Sequence, residues 1–196
     1  MWKFLQSSFG PSIENLLLAI ELGQEDKSMR FLKRNPSLIN QKNEFGMSPL
    51  MYAVLRGKAT IVSMLLNMDA DPNLLHENES TPLMVAVLEG EEDLLGALLA
   101  EEKLKINLQD RFGGSALMYA ARMKKVETVK ALLAKGANPN LRDVDGETTL
   151  MYALIGGEKE IVASLLEAGA DKDATNFDGL TAYDKAINKE IQALLK

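Results

Sequence analysis

Asp143-Val144-Asp145-Gly146-Glu147 is the stretch of this chain that comes nearest to a site for chemistry. Carboxylates at alternate positions ahead of a glycine are how a loop begins to wrap calcium, with a further acidic residue closing the shell. Here the ligand spacing fails after the glycine and nothing acidic stands at the closing position, so the stretch reads as a turn. His76 is the single histidine, so a Ser-His-Asp relay or a multi-histidine metal site would rest on one ring. It opens a turn segment, where a solvated loop residue is the simpler account. Cysteine is absent, which excludes thiolate catalysis, disulfides and cysteine-ligated zinc. Gly113-Gly114 and Gly156-Gly157 lack the lysine and strand context of a phosphate-cradling loop. Glu89, Glu91, Glu92 and Asp93 fit the start of a helix, where carboxylates are favoured by the dipole, and a basic partner is the second reading. Met51, Met84, Met118 and Met151 offer thioethers to a soft metal, or fill a core. Core packing is the reading adopted. No catalytic residue, cofactor or metal site emerges, and the chain is expected not to be an enzyme.

Charge and hydropathy narrow the partners. Acidic residues outnumber basic ones, 28 to 22, for a net charge of −6, and nucleic-acid binding needs a basic face. No apolar run approaches the ~18–20 residues of a membrane span. The opening Met1–Phe9 has a broken apolar run and no convincing cleavage site, so no signal peptide and a cytoplasmic location are expected, or a periplasmic or secreted one if a leader has been removed. The partner is therefore expected to be a protein, not nucleic acid or membrane, with the chain monomeric alone.

The elements that must hold any site are announced by repetition. Leu-Met-Tyr-Ala stands at Leu50–Ala53, Leu117–Ala120 and Leu150–Ala153, with Leu83-Met84-Val85-Ala86 between, at steps of 33, 34 and 33 residues. Leu65-Leu66, Leu98-Leu99, Leu132-Leu133 and Leu165-Leu166 keep the same step. A fixed period of this length marks a stacked array in which each unit packs on its neighbours. Within one unit, Glu44-Phe45-Gly46-Met47 is a turn, Ser48 caps a helix and Pro49 takes its first position, where a missing N–H costs nothing. Leu50, Met51, Ala53 and Val54 make a short apolar helix that Gly57 ends. Ile61, Val62, Leu65 and Leu66 then form the buried stripe of a second helix.

Asp-x-x-Gly turns, Thr81-Pro82-Leu83 and the Gly-Ala-Asp close at Gly169–Asp171 resemble ankyrin repeats, over residues 12–196. The resemblance implies an all-α ankyrin-repeat solenoid of stacked helix-turn-helix units with protruding hairpin turns. Its divisions fall at 1–11 (tail), 12–42 (degenerate N-terminal cap), 43–75, 76–109, 110–142 and 143–175 (repeats), and 176–196 (truncated C-terminal cap). Trp2, Phe4 and Phe9 in the tail are expected to cover the first unit. Methionine stands where ankyrin repeats commonly carry histidine; the repeats resemble ankyrin proteins from bacteria as much as eukaryotic ones, and a bacterial source is expected. Glu79 and Lys124 replace glycines, and Glu101–Ile106 carries a one-residue insertion, so local deviation is expected mid-chain.

In such a stack the hairpin tips and first helices line a concave face, with the second helices behind. The resemblance thus implies a protein-binding set: Phe45, Met47, Leu55, Arg56, Leu88, Glu89, Arg111, Phe112, Arg122, Met123, Val144, Ile155 and Phe177. Exposed apolar ladders flanked by charge are the pattern of a docking patch. The function implied is a non-catalytic module that docks a folded protein in the groove. The alternatives are an inhibitor or immunity-type protein occluding a partner enzyme's active site and, from another class, small-ligand or metal binding on the same frame.

Overall fold

The computed structural model describes residues 12–186 and 189–195. Trp2, Phe4 and Phe9 lie outside the described residues, and with them the expectation that they cover the first unit. The described chain forms paired short helices and no strand; Gln109 with Ser115, Arg142 with Thr148 and Thr175 with Thr181 form isolated bridges at hairpin bases. The first helix of each pair is α1 (Ile13–Glu21), α3 (Pro49–Leu55), α5 (Pro82–Glu89), α7 (Ala116–Arg122), α9 (Thr149–Gly156) or α11 (Ala182–Lys185). Their partners are α2 (Glu25–Arg34), α4 (Ala59–Asn67), α6 (Glu92–Leu99), α8 (Val126–Ala134), α10 (Lys159–Glu167) and α12 (Lys189–Leu194).

Each first helix begins where a hydroxyl can cap it. The side chains of Ser48, Thr81 and Ser115 accept from the amides of Met51, Met84 and Met118, each at 3.2 Å. That satisfies one of the amides a helix start leaves unpaired. The methionine returns the favour in two units: the Met84 and Met151 sulfurs accept from the amides of Thr81 and Thr148, at 3.4 and 3.5 Å. A thioether, though a weak acceptor, thus does the work of the usual Glu or Gln in a capping box. All four repeat methionines are buried, as the core reading requires.

First helices pack on first helices along the array, and second helices on second helices. Ala53, Ala86, Ala120 and Ala153 are buried, and their small size lets neighbouring helices approach. Leu50, Leu83, Leu117 and Leu150 are buried with Leu65, Leu98, Leu132 and Leu165, at about 1.5–3 kcal/mol each. Helices of this length are marginal alone, so this burial between units carries most of the stability.

A second cross-link runs along the turns behind. Asn107 donates to the Gly136 carbonyl and accepts from the Asn138 amide (3.4 and 2.8 Å), and Asn140 does the same with Gly169 and Asp171 (2.9 and 2.8 Å). Asn73 makes the same pair of bonds to Lys103 and Lys105 (2.8 and 2.7 Å), one residue further along. That offset locates the insertion. After α4, α8 and α10 a residue with positive φ (Asp69, Gly136, Gly169) stops the helix; after α6 none does, and the Leu104 amide instead bonds the Glu101 carbonyl in an extra turn. Here the second-helix layer opens. α6 makes only marginal contact with α8, whereas α4 packs on α6 and α8 on α10. A gap of about 350 Å³ remains, lined by Val87, Leu95 and Val126 under a rim of Glu91, Glu92 and Lys124. Lys125 reaches across it to the Val87 carbonyl.

Candidate functional site

The hairpins owe their shape to one residue type at their first position. The Oδ1 atoms of Asn43, Asp110, Asp143 and Asn176 each accept two amides, two and four residues on, at 2.8–3.1 Å. The Asp143–Glu147 stretch is therefore a folded turn whose lead carboxylate is already engaged. His76 occupies this position in the remaining hairpin and cannot make the same bonds. There the Oδ1 of Asn78 accepts from the Ser80 amide at 3.1 Å and faces His76 Nδ1 at 3.0 Å. Glu79 then takes the positive φ of 64° that glycine takes in the other turns.

Neighbouring tips are bonded through their backbones. The amides of Val144 and Phe177 donate to the carbonyls of Phe112 and Asp145, both at 3.0 Å, and the Arg111 amide donates to Asn78 at 3.4 Å. Glycine is needed for this approach. A Cβ on Gly113, at φ 74°, would lie 2.6 Å from the Asp143 Cα. Such stacking fixes the tip side chains at a common spacing.

Tyrosines join tips to first helices. Tyr119 donates to Asp110 and Tyr152 to Asp143, each pair within one unit. Burial, and then the bond to Asp110, push the Tyr119 phenol up to about 12. Burial and the Asp143 carboxylate likewise raise Tyr152. Tyr52 is raised by burial and by its bond to Glu21, across to the preceding unit. Arg56 stacks over the Tyr52 ring at 5.0 Å and pairs with Glu21 at 3.4 Å.

Of the residues read as a binding set, Phe112, Arg122 and Val144 come together. With Met118, Tyr119, Tyr152 and Asp145 they line a hollow of about 200 Å³ between two adjacent hairpins and their helices. Phe45, Leu55, Leu88, Met123, Ile155 and Phe177 are exposed outside that hollow. Leu55, Leu88 and Ile155 hold equivalent positions with Arg122, Met123 follows that position, and Phe177 stands one place earlier in its hairpin than Phe45 and Phe112. Glu89 and Arg111 are exposed too, but the Arg111 guanidinium bonds the Glu77 carbonyl. Met47 is half-buried. Sequence reasoning passed over the tyrosines of Leu-Met-Tyr-Ala as scaffold, although their recurrence on one helix face was the available signal. It also passed over Leu22, exposed just past the end of α1 as Arg56 is past the end of α3.

Among the described residues no cluster of three or more His, Asp or Glu could hold a metal, and no helix is long and apolar enough to cross a membrane. A family model of ankyrin repeats in three copies matches residues 16–110 and 93–176. The chain belongs to the ankyrin repeat family. It is similar to an ankyrin repeat domain from Acinetobacter baumannii AYE, with 31% identity and a TM-score of 0.81 over 92% of this chain and 95% of that one. The ankyrin repeat protein EF0377 superposes with a TM-score of 0.84 at 28% identity, over 94% of this chain and 97% of that one. Among curated proteins, a putative ankyrin repeat protein FPV014 of fowlpox virus is 32% identical over 61% of this chain. The human transient receptor potential cation channel subfamily A member 1 is 29% identical over 57% of it. The chain matches 28% and 10% of the lengths of those two relatives. Ankyrin repeats are generally protein–protein interaction modules, and the fold is typically non-catalytic.

Proposed function

We propose that this chain is a non-catalytic binding module that docks a folded protein against the face made by its hairpin tips and first helices. The observation behind this reading is the set of large apolar side chains left exposed on that one face, with Leu55, Leu88 and Ile155 in register and the tip rings within one position of one another. Phe45, Phe112 and Phe177 are 59%, 62% and 74% exposed on the tips, with Leu55, Leu88 and Ile155 exposed on the helices below. Contiguous exposed apolar positions rimmed by charge mark interaction sites. Interfaces concentrate their energy in a few central aromatic and arginine anchors, and Phe112 and Arg122 hold the centre here. Affinity capture with the intact chain, identification of the partner by mass spectrometry and titration of the purified pair test this. Phe112→Ala or Arg122→Ala should weaken binding by about 2 kcal/mol, roughly thirtyfold, while Glu127→Ala on the second-helix side leaves it intact. Equal losses from both sets, with folding unchanged, would reject the assignment.

A further inference from the structure

Ion pairs stand on both sides of the array. Behind, Lys103 pairs with Asp69 at 2.9 Å, Lys130 with Glu127 in its own unit and Glu160 in the next, and Lys159 with Glu190; in front, Arg56 pairs with Glu21 and Lys185 with Glu147. On the tips, Glu44, Glu77, Glu79, Asp145 and Asp178 are exposed, and no cation among the described residues pairs with them. Arg111 is held on the Glu77 carbonyl, and Arg122 stands lower, beside Tyr119 and Tyr152. The tip carboxylates also stand next to the exposed rings. Glu44 precedes Phe45, Asp178 follows Phe177, and Asp145 lines the same hollow as Phe112.

We infer that the docking face takes a basic, amphipathic protein segment, one in which Lys or Arg alternates with bulky apolar residues. This rests on the groove reading above and adds the chemistry of the occupant. A carboxylate beside an exposed aromatic ring receives a long cationic side chain twice over. The apolar stem lies on the ring, and the charged head meets both the carboxylate and the negative face of the π system. A row of unpaired carboxylates along one edge also sets up a field that attracts a basic partner and repels an acidic one. Neutral or acidic partners would leave these carboxylates against like or absent charge.

The test uses a displayed library of random peptides selected on the intact chain, followed by titration of one enriched peptide. The enriched sequences should combine Lys or Arg with aromatic or large aliphatic residues. The set Glu44→Gln, Asp145→Asn and Asp178→Asn should weaken that peptide about tenfold near 0.05 M salt and far less near 0.5 M, where screening shortens the range of the field. Neutralising Asp93, Glu101 and Glu102, which removes the same charge elsewhere, should change nothing. Enriched peptides without basic residues, or unchanged binding by the tip set while Phe112→Ala still abolishes it, would overturn the inference and leave the groove standing. Binding indifferent to Phe112→Ala would overturn the groove reading and the inference with it. Failure to enrich any peptide over a folded control protein would overturn the inference and leave the docking of a folded protein standing.

Discussion

At the scale of single residues, the tyrosines tie the recognition surface to its scaffold. Tyr119 places its hydroxyl on Asp110, the residue that shapes its hairpin, so tip and first helix move as one piece. A hydrogen bond to a charged group is worth about 1.5–3 kcal/mol, and Tyr119→Phe should lower stability by an amount at the bottom of that range because the site is part-exposed. The phenol is raised in the folded state, so its contribution is complete below the ordinary tyrosine value near 10. It is lost as pH rises toward about 12, where Tyr119 ionises. Absorbance titration of tyrosinate should show a late step, and Tyr119→Phe should diminish it, leaving what Tyr52 and Tyr152 contribute; ionisation of every tyrosine near 10 would contradict these bonds. Met118 makes a separate point. It is buried between units, so Met118→Ala should cost roughly 2–5 kcal/mol in chemical denaturation, whereas a residue poised for metal would lose little.

At the scale of elements, the array is regular except at one seam. The inserted residue near Glu101 replaces the left-handed stop that follows α4, α8 and α10, and α6 loses its packing against α8. Fewer buried contacts mean a lower local opening free energy, so amides within Leu94–Leu99 and Val129–Leu133 should exchange faster than those of α4 and α10. Equal protection in all four helices, read by hydrogen–deuterium exchange, would contradict that account. The sequence carried much of this. Hydroxyl caps, Pro49 and Pro82, the buried Leu and Ala positions and the irregular middle were all readable, because each follows from local chemistry repeated at a fixed step. The opening between α6 and α8 was not, since a one-residue insertion shows where the period slips but not which layer absorbs it. The Asn73, Asn107 and Asn140 cross-links were also invisible, because each bond joins residues about thirty positions apart.

At the scale of the whole molecule, one edge sets exposed rings beside exposed carboxylates, as at Glu44–Phe45 and Phe177–Asp178. The exposed ladder was legible from repeat register together with the resemblance to ankyrin repeats. The tyrosine–carboxylate ties and the hollow at Phe112 were not, because they depend on how each hairpin folds back on its own helix. Docking on this face predicts a footprint that follows the fold and not the sequence. Hydrogen–deuterium exchange of the full chain, with and without the partner identified by capture, measures it most directly. Protection should appear at the tips 76–80, 110–114 and 143–147 and along α5, α7 and α9, leaving α8 and α10 as they are in the free protein. Protection centred on the second helices, with the hairpin tips unchanged, would contradict the assignment of the binding face.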